Sequence, residues 1–152
     1  MININIATNR DHRILNYHLF DLGTEFRWNI MIEEQEKIRI DKYTEVRPWG
    51  NFEQFTHNEQ TTVKLINVNA QSELSLQYHE YRSEFWKAIS GNPIIVVGDR
   101  VEEAKKGDEF FIPKLTEHQI KTTDSPAQIL EIAFGQFYED DIIRIKDRYN
   151  RV

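Results

Sequence analysis

The sequence predicts an all-β domain, a sandwich or barrel of short strands, with a short C-terminal helix and an N-terminal extension. Three observations predict it. Short stretches alternate apolar and polar residues at the period of a strand. Turn residues punctuate them roughly every ten residues, the rhythm of an all-β fold. The regular part begins near Val46, so residues 1–45 read as an N-terminal extension or edge strands and residues 46–152 as one domain.

In chain order, "NYHLFDLGTEFRWNIMIEEQEKIRIDKY" holds strand-like pieces broken at Gly23 and a charged patch around Glu33 to Lys37, read as a solvated face. Met31 opens text that would make a natural start for a small domain. Residues 1–30 are then an accessory arm or an upstream-start extension, the alternative being ordinary edge strands. "TTVKLINV" alternates, with Val63, Leu65 and Asn67 on one face and Lys64, Ile66 and Val68 on the other. "ELSLQYH" alternates too. "NPIIVVGDRVEEA" predicts a hairpin turning at Gly98-Asp99. "GDEFFIP" reads as a turn and a strand ended by Pro113, and "AQILEIAFG" as a further strand. "YEDDIIRIKDRY" predicts the helix, with Asp140 near its start. Trp49 and Trp86 are expected in the core or at the mouth of the barrel. His12, His18 and His57 fit no ligand pattern and read as surface residues, and Trp28 belongs to the arm.

At 152 residues the chain is long enough for one compact domain with a core. No apolar run approaches the roughly 18 residues of a membrane span, and "MININIATNRDHR" lacks the apolar centre of a signal peptide. The chain has no cysteine, which removes disulfides and thiolate metal sites and fits a reducing cytoplasm. A net charge of −6 argues against a nucleic-acid partner.

"LSLQYHEYRSEFWKAISG" carries the chemistry. Residues two apart in a strand share a face, so Gln77 and His79 project together, and "EYRS" can turn the chain so that Glu84 returns on the next strand. His118 follows downstream. The full pattern is Gln-x-His-x4-Glu-x6-Gly, fifteen residues, then Gly-x5-Pro-x4-His. Gln-x-His by itself says little; the two-part pattern is far more specific. An oxygen of Gln77, nitrogens of His79 and His118 and an oxygen of Glu84 form a mixed set suited to a divalent ion, zinc foremost, with manganese, cobalt, nickel or iron also compatible. A further coordination position open to water or substrate would make the site catalytic.

These two blocks resemble the paired motifs of cupins, double-sheet jelly rolls also described as double-stranded β-helices, with Gln77 in place of the usual first histidine. Together with "RPWGNF", "VKLINV", "GDEFFIPKLTEH" and "FGQFYEDDIIRIKDRYNR", the match is similar to type II phosphomannose isomerase domains, over roughly Val46 to Arg151. Such domains stand alone or form the C-terminal part of bifunctional mannose-1-phosphate guanylyltransferases. The chain departs from the family pattern at Tyr81 and Phe85, where histidines are usual, and at Ala70-Gln71, where Pro-Gly is usual. Leu115 and Asn150 stand where glycine is common.

The resemblance implies a metal-dependent interconversion of mannose 6-phosphate and fructose 6-phosphate through an enediolate. It assigns Lys64 to a sugar contact or the proton relay, and Arg82 and Arg144 to the substrate phosphate, with Arg47 a weaker match. The sequence alone leaves each of these open to an ordinary reading: a solvated lysine, or arginines paired with carboxylates, such as Asp140 for Arg144. It identifies no general base. A sugar- or metabolite-binding cupin without turnover is the alternative suggested by Tyr81, and a metal-dependent oxygenase a further one, since His79, His118 and Glu84 make two histidines and a carboxylate. The expected partners are a small sugar phosphate and a second copy of the chain, since sheet edges readily pair, with no membrane and no nucleic acid.

Overall fold

A computed structural model of the chain describes residues 42–151 in full and, before them, the backbone of three strands. The chain divides into two compact units, Met1–Ile38 and Arg39–Val152. The first contains β1 (Asn3–Ala7), β2 (Ile14–Asp21) and β3 (Phe26–Met31), an antiparallel sheet in the order β1-β2-β3. Gly23, His12 and the Glu33 to Lys37 patch lie outside the described residues.

The second unit opens with a hairpin of β4 (Tyr43–Arg47) and β5 (Gly50–Gln54). Nine further strands follow: β6 (Thr61–Val68), β7 (Leu76–Tyr78), β8 (Ser83–Ser90), β9 (Ile94–Val97), β10 (Arg100–Glu103), β11 (Glu109–Ile112), β12 (His118–Lys121), β13 (Ala127–Phe134) and β14 (Ile143–Lys146). They form a five-stranded sheet, β10-β9-β12-β7-β14, and a four-stranded sheet, β11-β8-β13-β6. All pairings are antiparallel. The core cluster draws Val68, Trp86, Ala88, Phe110, Ile112 and Ile129 from the four-stranded sheet and Ile95 and Ile120 from the five-stranded one. The two sheets therefore share one apolar interior, the cupin arrangement. Burying each such side chain contributes about 1.5–3 kcal/mol.

Alternation decides what faces that interior. In β6, Lys64, Ile66 and Val68 turn inward, while Val63 and Leu65 are 59% and 53% exposed. In β13, Ile129, Glu131 and Ala133 share the inner side. Val97 pairs with Arg100 across a two-residue turn at Gly98-Asp99. Gly98 has φ 56°, a conformation that glycine adopts without steric cost.

Two expectations are corrected. The C-terminal segment is no helix: "YEDD" is a turn and Ile143–Lys146 is strand β14. In "IRIK" the period-two alternation of β-branched isoleucines prevails over the helix-start signal of Asp140, and pairing with β7 satisfies its backbone. Trp49 stands in the β4–β5 turn, 73% exposed, so only Trp86, 1% exposed, joins the core. Among the described residues no helix is long and apolar enough to cross a membrane.

Candidate metal centre

Three strands and one turn assemble the site. His118 begins β12 and lies directly opposite Gln77 on β7. Residues so paired project to the same face. His79 follows β7, and Glu84 lies on β8 in the other sheet, so the cluster bridges the two sheets. His79, Glu84 and His118 are 1–2% exposed. Each offers a ligand atom, and these atoms lie within 4.8 Å of one another.

The hydrogen bonds fix how the ligand atoms are presented. His79 Nδ1 bonds the carbonyl of Asp141 at 2.6 Å, and His118 Nδ1 bonds that of Thr116 at 2.8 Å. A carbonyl only accepts, so each Nδ1 carries the proton and each Nε2 presents its lone pair. The two Nε2 atoms face each other at 3.2 Å. A Glu84 oxygen lies 3.1 Å from His79 Nε2, and the other 3.7 Å from His118 Nε2. Electron-rich atoms converging in this way fit a divalent cation, with backbone carbonyls orienting both imidazoles from behind. Gln77 Oε1 accepts from Ser75 Oγ at 2.7 Å, which aims the amide and leaves that oxygen a second lone pair.

Burial works to raise the pKa of Glu84, but its contacts with the two imidazoles and the Arg82 guanidinium outweigh it and hold the carboxyl at about 2. It is thus ionised across the neutral range, as a ligand must be. Burial lowers the pKa of His118, which favours the neutral, metal-binding imidazole.

The expected substrate cations are placed very differently. Arg82 is 2% exposed. Its Nε donates to Glu84 Oε1 at 3.0 Å and its Nη1 to the Tyr138 carbonyl at 3.1 Å and Asp141 Oδ2 at 3.3 Å, while Nη2 lies 3.1 Å from His79 Nε2. Its guanidinium also stacks 4.5 Å from the centre of the Phe137 ring. Arg144 is exposed and lies opposite Gln77 on β14, on the Gln77–His118 face. The Lys64 side chain is 37% exposed, and its Nζ lies 4.0 Å from the centre of the same Phe137 ring. Arg47 pairs with Glu45 at 2.6 Å on the distant hairpin.

Three residues escaped sequence reasoning. Asp141 accepts from the backbone N–H of Glu80 at 2.9 Å and of Tyr81 at 3.3 Å, besides Arg82, and so clamps the ligand turn. Phe137 bridges Arg82 and Lys64. Glu131 is 6% exposed on the inner face of β13. A signal for Glu131 existed: a lone carboxylate at an inward position of an apolar strand. Asp141 lies inside the segment that reads as a helix starting near Asp140. An open cavity of about 440 Å³ adjoins this turn, lined by Glu80, Tyr81, Tyr138, Asp140, Asp141 and Ile143.

The profile of the family described as "Mannose-6-phosphate isomerase C-terminal" matches residues 33–147. The chain belongs to that family. Mannose-1-phosphate guanylyltransferase 2 of Escherichia coli O157:H7 is 33% identical over 122 residues, covering 78% of this chain and 25% of the relative. The xanthan biosynthesis protein XanB of Xanthomonas campestris pv. campestris (strain B100) is 34% identical over 107 residues, covering 69% and 23%. The chain thus spans about a quarter of the length of the curated relatives it matches. Among solved structures, oxalate decarboxylase from Bacillus subtilis superposes with a TM-score of 0.54 at 18% identity, over 62% of this chain and 26% of that one, a likeness of fold.

In this member of the mannose-6-phosphate isomerase C-terminal family, three positions where the resemblance implies glycine have a backbone that glycine favours. Gln71, Leu115 and Asn150 have φ of 54°, 62° and 52°, the left-handed region that glycine favours. Tyr81, at a usual histidine position, is 58% exposed.

Proposed function

We propose that the chain is a metal-dependent aldose–ketose isomerase interconverting mannose 6-phosphate and fructose 6-phosphate. The observation that carries this reading is the convergence of the His79 and His118 lone pairs on the Glu84 carboxylate, in a chain of this family. A divalent ion held by Gln77, His79, Glu84 and His118, zinc foremost, would supply Lewis-acid charge to the sugar carbonyl.

The chain's own residues divide the remaining work. Arg82 balances Glu84 and fixes the turn that carries His79. Arg144 keeps an exposed cationic head, and phosphate recognition falls to it, since arginine presents a planar fork of donors, while Lys64 is left for a sugar contact or the proton relay. The cavity beside Tyr81 is lined by Glu80, Asp140 and Asp141 and repels a phosphate dianion.

A homodimer accompanies this reading, because β6 edges the four-stranded sheet among the described residues and turns Val63 and Leu65 outward. A clean monomer on gel filtration removes it. For the activity, metal-loaded protein is given mannose 6-phosphate and fructose 6-phosphate is followed by a coupled assay. Turnover supports the isomerase, and bound metal with sugar-phosphate binding but no turnover moves the reading to a binding cupin. Oxygen uptake with Fe(II) would favour an oxygenase.

A further inference from the structure

We propose that Glu131 is the residue that moves the proton between C1 and C2 of the sugar, with Lys64 as its charge partner. The inference rests on the isomerase reading and supplies the base that the sequence leaves unnamed.

Placement comes first. Across the four-stranded sheet, Phe110, Trp86, Glu131 and Lys64 form one row of paired residues. The next row on the same inner face pairs Ala133 with Glu84. Glu131 is therefore a diagonal neighbour of the ligand Glu84, roughly 7–8 Å away along the backbone and within reach of long side chains. It is the other inward-facing carboxyl of that sheet among the described residues. Trp86 lies between the two, its Nε1 donating to Glu84 Oε2 at 3.1 Å.

The surroundings of the three buried carboxyls then separate their roles. Glu84 is ringed by Arg82, Trp86 and His79, and Asp141 by two backbone N–H groups and Arg82. Glu131 has its nearest cation, Lys64 Nζ, at 3.9 Å, beyond hydrogen-bond length. Lys64 is shared with Glu139 at 3.6 Å. Besides Lys64, Trp86 offers it a hydrogen bond, and a carboxyl buried with no closer cation costs stability as a structural element. As a base beside the bound sugar it is what the isomerisation requires. The groups facing it are Lys64 from β6, Trp86 and Glu84 from β8, and Arg82 from the turn before β8. Burial, then the Glu84 charge, push its pKa up against the pull of Lys64 and Arg82.

The step balances without an oxidant. The Glu131 carboxylate takes the C2 proton of the open-chain aldose, the C2–H pair becomes the C1=C2 bond, and the carbonyl π pair moves to O1. The O2 proton passes to O1. The carboxylic acid returns its proton to C1, and an O2 pair completes the C2=O bond of the ketose.

The test uses the full chain stripped of metal and reloaded with zinc or manganese. Glu131→Gln is expected to lower kcat for mannose 6-phosphate by about 100-fold or more, with KM and metal stoichiometry within about threefold of the unmodified protein. Glu131→Gln with kcat also within threefold overturns the proposal while leaving the isomerase reading intact. An unmodified protein that binds metal and converts nothing overturns both. If Glu131→Gln fails to fold, Glu131→Asp decides, since it keeps the acid but withdraws it by one methylene. A loss of roughly tenfold in kcat with metal retained supports the proposal, and an unchanged kcat overturns it.

Discussion

His79 and His118 face each other Nε2 to Nε2 at 3.2 Å, while each gives its Nδ1 proton to a backbone carbonyl. The carbonyls belong to Asp141 and Thr116, in segments far apart in sequence. The C-terminal turn is thereby part of the centre: it orients one imidazole through a carbonyl and clamps the preceding turn through the Asp141 carboxylate.

Asp141→Ala is expected to weaken divalent-metal binding by about 10–100-fold, the usual effect of losing a group that orients ligands. It leaves the Glu80 and Tyr81 N–H groups and the Arg82 guanidinium short of an acceptor. Breaking such a buried pair also costs about 3–5 kcal/mol of stability. Metal titration calorimetry and urea unfolding read the two effects separately.

Leu115→Gly is expected to stabilise the fold by roughly 0.5–1 kcal/mol. Leu115 holds φ 62° and is 66% exposed, so it bears left-handed strain and buries little. The strain costs about 1–2 kcal/mol, and the added freedom of glycine in the unfolded chain takes back about 0.4–1. Because the Leu115 N–H donates to the His79 carbonyl at 2.7 Å, metal affinity should stay the same or improve. A lower urea midpoint contradicts this account.

Gly91→Ala acts in the opposite direction. Gly91 has φ 76°, and a Cβ there would stand 2.3 Å from the Pro126 carbonyl oxygen and 2.9 Å from Ala127. Backbone must move, and a loss of about 3 kcal/mol or more is expected, in the range of severe substitutions. This contact explains why a glycine closes the first ligand block. Thermal unfolding checks it.

Glu131 makes stability depend on pH. Its folded pKa of about 7 lies above the ordinary value of 4.5, so the native chain binds more protons than the unfolded one between these limits. Its contribution is complete below 4.5 and is lost as pH rises through about 7. Glu131→Gln should flatten the decline in Tm from pH 5 to 8, and an unaltered profile would contradict the raised pKa.

The strands were legible because Val63 to Val68 and Ala127 to Phe134 alternate cleanly, and the Gly98-Asp99 turn announces its hairpin. The clustering of His79 with Glu84 was legible because the two come from one continuous stretch. What bears on them from a distance was not. Asp141 reaches the site by a return of the chain that local pattern cannot show. Its two acidic neighbours imitate a helix start, and β14 forms only because β7 offers an edge. From sequence Arg82 stays open between a phosphate contact and an ion pair, because two of its partners, Tyr138 and Asp141, reach it only through the tertiary fold. Trp49 reads as core or barrel mouth because apolarity carries no information on which side of a hairpin it falls.

The most direct measurement is isomerase turnover against metal occupancy. Chelator-stripped protein is titrated with zinc, manganese, cobalt or nickel, and conversion of mannose 6-phosphate is followed beside His79→Ala and His118→Ala. The account predicts no activity without metal, activity rising to saturation at one ion per chain, and none in either variant. Conversion that survives stripping or either substitution would contradict it, as would a fully loaded protein that leaves mannose 6-phosphate unchanged.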